Sequence, residues 1–159
     1  MMRDDGGTAA VTTLVMLPLL LIVLVGVLEL GALRAVAYRA TAAADLATIV
    51  AVGDQDQAEL VRTGTLRLAP DAADTARDYF ARNLSSSAPV LAASAEAIAA
   101  LADVATFPTA PTFDSRTGAR YDRPTVRLIA SVPVRTPGFA ALLLPAVTTL
   151  TIRSASSPR

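Results

Sequence analysis

Asp54, Asp56 and Glu59 have a spacing faintly like that of a calcium loop, and hard cations do take clustered carboxylate oxygens. The pattern breaks at Ala58, where a third oxygen ligand is needed, and at Glu59, which stands in the place of the turn glycine. A solvated acidic loop is therefore expected. Arg116, Arg120, Arg123 and Arg127 gather around Gly118 with only Asp114 and Asp122 to offset them. Such a loop can meet an anionic partner such as phosphate headgroups, and an exposed hairpin that happens to carry arginine is the alternative. The chain has no His and no Cys, so the usual neutral-pH base, the thiolate nucleophile and the common zinc ligands are all missing. A serine nucleophile would lack its histidine base, and no glycine-rich phosphate loop is recognisable. Carboxylate-only hydrolysis is the one enzymatic class left open. No catalytic, cofactor-binding or metal-ligating residue is assigned, and neither a cofactor nor a small-molecule substrate is expected.

The elements that position these groups begin with a membrane segment. From Thr8 to Leu28 there is no charged residue, and Asp5 and Glu29 flank the run. About 20 apolar residues suffice to cross the hydrocarbon core as a helix, and a mid-bilayer charge costs roughly 2.5 to 3.5 kcal/mol. Pro18 is expected to kink this helix without ending it. A cleaved secretory signal is a competing reading, since Ala35-Val36-Ala37 offers a small-residue site, but the apolar run is long for a signal and Glu29 and Arg34 intervene. A buried core helix is a further alternative. It is disfavoured because 159 residues hold one membrane segment and one modest domain, too little to surround such a helix. The 14 cationic residues, all Arg, balance 14 acidic ones, so nucleic acid is not expected as a partner. Charge bias alone sets Arg34 and Arg39 after the span against Arg3 before it, which by itself would put the C-terminal side in the cytoplasm.

Helical character is expected to continue to about Val52, with Gly53 as C-cap, as a rod of roughly 65 Å. Leu30, Ala37, Ala44 and Ala51 recur every seven residues, interleaved with Leu33, Ala40 and Ala47. Small residues in such a seam let a second helix approach closely, either from the chain's own domain or from a partner. Asp71 can cap a helix running to Leu84 with Ala73, Ala76, Phe80 and Leu84 as its apolar stripe. The segment Leu91 to Val104 fits helical spacing better than alternation. In Thr125 to Val134 the alternate residues Val126, Leu128, Ala130, Val132 and Val134 predict a half-buried strand, and Val147 to Arg153 predicts a second. Between them, Phe139 to Leu144 is an apolar loop or short helix expected under the sheet, with contact to a membrane surface or a partner as the alternative. The fold class that follows is α+β: a long N-terminal transmembrane helix continuing as a stem, and a small domain of helices with a short antiparallel sheet.

The strings Gly7-Thr8-Ala9-Ala10-Val11, Leu17-Pro18-Leu19-Leu20-Leu21, Glu29-Leu30-Gly31 and Ala42-Ala43-Ala44-Asp45-Leu46-Ala47, in that order, resemble the N-terminal region of TadE/TadG-like proteins, pseudopilin-like components of bacterial tight-adherence (Flp-type) pilus systems. The resemblance covers about the first third of the chain. It implies a short cytoplasmic N-terminus (1–7), a transmembrane helix (8–28), a helical stem (29–52) and a pilin-like extracytoplasmic domain (53–159), in a bacterial membrane, at the cell surface or in a pilus. Its implied partners are the membrane and other pilus or secretion-system subunits. It also implies prepilin-type processing between Gly7 and Thr8. Thr12 and Thr13 stand where processed members carry Glu and an aromatic, and Thr cannot neutralise a neighbour's new amine inside lipid, which points to the unprocessed, TadG-like members. The functional expectation is a non-enzymatic assembly component. The rival is a membrane-anchored binding module that presents the arginine loop or the Phe139 segment.

Overall fold

The structure is a computed structural model that describes residues 6–158, with residues 6–10 described through their backbone only. Helix α1, Gly6–Gly53, is 48 residues long, about 72 Å at 1.5 Å per residue, and runs through Pro18 without ending. Every residue from 11 to 24 is exposed. Among the described residues this is the one helix long and apolar enough to cross a membrane. Its second half is covered on one face: Leu33, Val36, Ala40, Ala43, Ala44, Ala47, Thr48, Ala51 and Val52 are buried.

Two helices follow the stem. Asp56 Oδ1 accepts the Glu59 amide at 3.0 Å and starts α2, Gln57–Thr63, which Gly64 ends in the left-handed region at φ 70°. Helix α3, Ala72–Leu84, buries Ala72, Ala76, Phe80 and Leu84. Ala73 is half-buried, and the Asp71 side chain makes no cap hydrogen bond, so these two expectations are corrected. A 3-10 turn, Ser85–Val90, leads into α4, Ala95–Ala100, whose N-cap is Ser94.

The helix expected over Leu91 to Val104 is thus a single short one, and its last residues belong to a strand. Strand β1, Asp103–Phe107, pairs antiparallel with β4, Thr125–Arg135, which pairs antiparallel with β5, Val147–Ser156. A separate two-stranded hairpin of β2, Thr112–Phe113, and β3, Arg120–Tyr121, lies between β1 and β4 in the chain. The main sheet has the order β1-β4-β5, with Val126 opposite Ser156 and Arg135 opposite Val147. A five-residue helix, α5, Pro137–Ala141, interrupts the β4–β5 connection.

Helices α1 and α3 cover one face of this sheet. Ala51, Val52, Ala72, Ala76 and Val126 share one cluster, while Leu33, Ala40, Ala47, Phe80, Leu84, Leu128, Val132 and Val134 share another. These pairings fix direction: β4 starts beside the far end of α1 and runs back toward its bare half. At 3.3 Å per residue its 11 residues span about 36 Å. That matches roughly 40 Å of helix from Val25 to Val52. The domain is therefore laid along the stem rather than perched on its end.

Candidate functional site: the stem helix and the surfaces beside it

The seam on α1 is where the domain closes. Ala40, Ala44, Ala47 and Ala51 are fully buried and Leu33 nearly so, because alanine at these positions lets the domain, α3 and the sheet together, approach closely. Ala37 is half-buried and Leu30 is 55% exposed, so the buried stripe starts later than the heptad suggests and drifts to include Val36, Ala43 and Thr48. That drift is what 3.6 residues per turn imposes on a seven-residue repeat in a straight helix. Gly7 and Thr8 fall in the first turns of α1, and their side chains lie outside the described residues.

A polar latch joins the stem to the last strand. Thr48 Oγ1 is 3.0 Å from Ser154 Oγ and 2.9 Å from Ser156 Oγ, and Ser154 Oγ donates to Asp45 Oδ1 at 2.6 Å. Serine beside aspartate invites comparison with hydrolytic sites, but the chain has no histidine to stand between the two as in a catalytic triad. The group satisfies polar atoms at the α1–β5 contact. Nothing local in the sequence signals it, since its partners are more than 100 residues apart.

Of the four loop arginines expected to meet an anionic partner, Arg116, Arg120 and Arg123 are exposed and Arg127 is not, which corrects that expectation for Arg127. Arg127 is 5% exposed, with Nη2 3.0 Å from Asp103 Oδ2 and Nε 3.2 Å from Asp114 Oδ2. Arg116 Nη1 lies 2.7 Å from the same Asp103 oxygen, and Arg123 donates to the Pro158 carbonyl at 3.0 Å. Arg120 is exposed on β3. Burial pushes the Asp114 carboxyl up, but the Thr117 hydroxyl, the Arg116 amide, the Arg127 guanidinium and the Thr117 amide together outweigh it and hold its pKa below the ordinary 3.8. Arg116 and Arg127 thus hold the β2–β3 hairpin to the sheet, through Asp103 on β1 and Asp114 in the hairpin.

Asp54, Asp56 and Glu59 diverge as well. Asp54 accepts from Thr75 Oγ1 at 3.2 Å, Asp56 caps α2, and Glu59 is ion-paired with Arg62 at 2.6 Å. The Asp-x-x-Glu spacing that suggested a metal loop is the start signal of a short helix.

At the other end of the domain, Glu29 reaches across from α1, and its Oε2 accepts the Gly138 amide at 3.2 Å. A Cβ at Gly138 would stand 2.5 Å from that oxygen and 3.1 Å from Val25 Cγ1, so a side chain here would push the Glu29 carboxylate aside and crowd Val25. Phe139 packs onto the core as the sequence suggested for this segment, but Leu143 is 96% exposed and Leu144 52%. No protein-family model, curated protein or solved structure matches the chain.

Proposed function

We propose that this chain is a structural, non-enzymatic component of a tight-adherence pilus or a related secretion apparatus. In this reading it is held in a bacterial membrane by the first half of α1, with its pilin-like domain outside the cytoplasm, in the manner of TadE/TadG-like minor pseudopilins. The observation that carries the reading is the division of one continuous helix: residues 11 to 24 are bare and apolar, while residues 33 to 52 form a wall of the domain's own core. Such a helix couples whatever it contacts in the membrane to the domain as one rigid body, which suits assembly rather than turnover. The bare half offers only apolar side chains, Gly, Pro and Thr, so its natural contacts are lipid and other membrane helices.

The test is photo-crosslinking in the native host from positions 14 and 21 on the bare half, followed by purification of membrane complexes and identification of the adducts. Adducts with other membrane helices, pilus or secretion-system subunits among them, are expected. Lipid adducts alone, together with a soluble ligand retained by the domain, would overturn the assembly reading in favour of a binding module.

A further inference from the structure

The stretch of α1 ahead of the domain is short for the bilayer it has to cross. From Gly6 to Leu24 it rises about 28 Å, just under the roughly 30 Å of a hydrocarbon core. The domain already touches the helix at Val25, where residues 25 and 26 become half-buried, and at Glu29. The end of the domain that carries α5 therefore lies at the depth where α1 leaves the lipid.

That end is built of apolar residues. Phe139 to Val147 contains no charged side chain and no polar one. Thr136, itself fully buried, pins the base of the connection: its amide donates to the Ala146 carbonyl and its hydroxyl to the Pro145 carbonyl, both at 2.8 Å. Leu143, at the apex, adopts φ 61°, a left-handed conformation that glycine takes freely and that costs a leucine on the order of 1 kcal/mol. The sequence thus holds a large apolar side chain in a strained backbone conformation and exposes it almost completely. Beside the apex, an apolar groove of about 610 Å³ runs along Val90, Pro137, Ala140 and Val147 with Arg135 exposed at its edge. Arginine at that level is suited to lipid phosphate.

We infer that the α5–β5 connection is an interfacial membrane wedge: Leu143 and Leu144 insert into the acyl boundary of the leaflet from which α1 emerges, and Arg135 meets the headgroups. This rests on the membrane anchorage of α1 proposed above and adds a second point of attachment, which fixes the tilt and rotation of the domain over the bilayer. Two attachments on one rigid body define an orientation that a single helix leaves free.

The chain has no Trp, so single Trp replacements report depth without background. The full chain carrying Leu143→Trp is reconstituted in phosphatidylcholine–phosphatidylglycerol vesicles whose acyl chains are brominated either near the headgroup or near the bilayer centre. Val61→Trp, 88% exposed beyond the far end of α1, and Leu14→Trp, about 15 Å below Leu24, are the references, and Leu144→Trp is a second reporter if Leu143→Trp fails to fold. The expected result is several-fold quenching of Leu143→Trp by shallow bromines, of Leu14→Trp by deep ones, and none of Val61→Trp. If both wedge reporters match Val61→Trp while Leu14→Trp is quenched, the wedge is refuted and the anchor stands. Leu14→Trp free of quenching would remove the anchor, and the wedge with it.

Discussion

Arg127 shows how much one pairing decides at the level of single residues. Its guanidinium sits inside the fold between Asp103 and Asp114, and neither Nε nor Nη1 makes a hydrogen bond among the described residues. Removing one carboxylate leaves a buried charge poorly compensated, so Asp114→Asn is expected to destabilise the domain by about 3 kcal/mol, read as a lower urea midpoint at unchanged slope. Because folding depresses the Asp114 pKa, its stabilising contribution is complete above the unfolded value near 3.8 and is lost as pH falls through the lower folded value. Urea titrations from about pH 5 to about pH 2 should show that loss in the parent and a flatter profile in Asp114→Asn. The sequence displayed all four arginines and both aspartates, yet their arrangement was illegible. Asp103 meets Arg127 only because β1 and β4 pair with Ala105 opposite Arg127, a register set by the whole sheet. Glu29 and Gly138 were equally silent, since their hydrogen bond joins residues 109 positions apart.

Elements with a clean period were legible. β5 is a half-buried strand, and so is β4 from Ile129 on, while α3 carries its stripe at helical spacing. Thr125 to Leu128 are buried on both faces because the β2–β3 hairpin covers Arg127, which corrects the half-buried expectation for that end of β4. β1 was not legible, for a physical reason: it is an edge strand, all five residues are half-buried, and without an alternating pattern its alanine and valine read as the tail of a helix. The stem's seam was legible in kind and misplaced in phase at Leu30. Because that seam depends on small side chains, Ala47→Leu should overpack the core against the stem and cost about 1 to 3 kcal/mol in thermal or urea denaturation, whereas Ala35→Leu on the exposed face should stay within about 0.5 kcal/mol. Thr48→Val keeps the shape of the α1–β5 latch and removes its central hydroxyl. A loss of about 1 to 2 kcal/mol is expected, since Ser154 keeps its bond to Asp45 while Ser156 loses a partner.

For the whole molecule, the division of α1 predicts where the chain can be cut. A version lacking residues 1 to 24 keeps every buried stem residue, and circular dichroism should find it folded, with far less tendency to bind detergent or vesicles than the parent. Removing residues 1 to 53 instead strips the wall of both core clusters, and a cooperative thermal transition should disappear. For the same reason the Ala35-Val36-Ala37 string makes a poor cleavage site once folded: Val36 is buried and the helix runs unbroken through it, so intact mass should place the start of the mature chain before Ala35. The latch between Thr48 and Ser154 bears also on biosynthesis. The stem is made first and its partner strand last, separated by about 100 residues of chain, which at roughly 5 to 20 residues per second is on the order of 5 to 20 s of translation. Throughout that interval the alanine face of α1 has emerged without the strand that completes its cover. A ribosome stalled before Val147 would therefore leave a nascent chain whose stem helix is complete and whose domain cannot close.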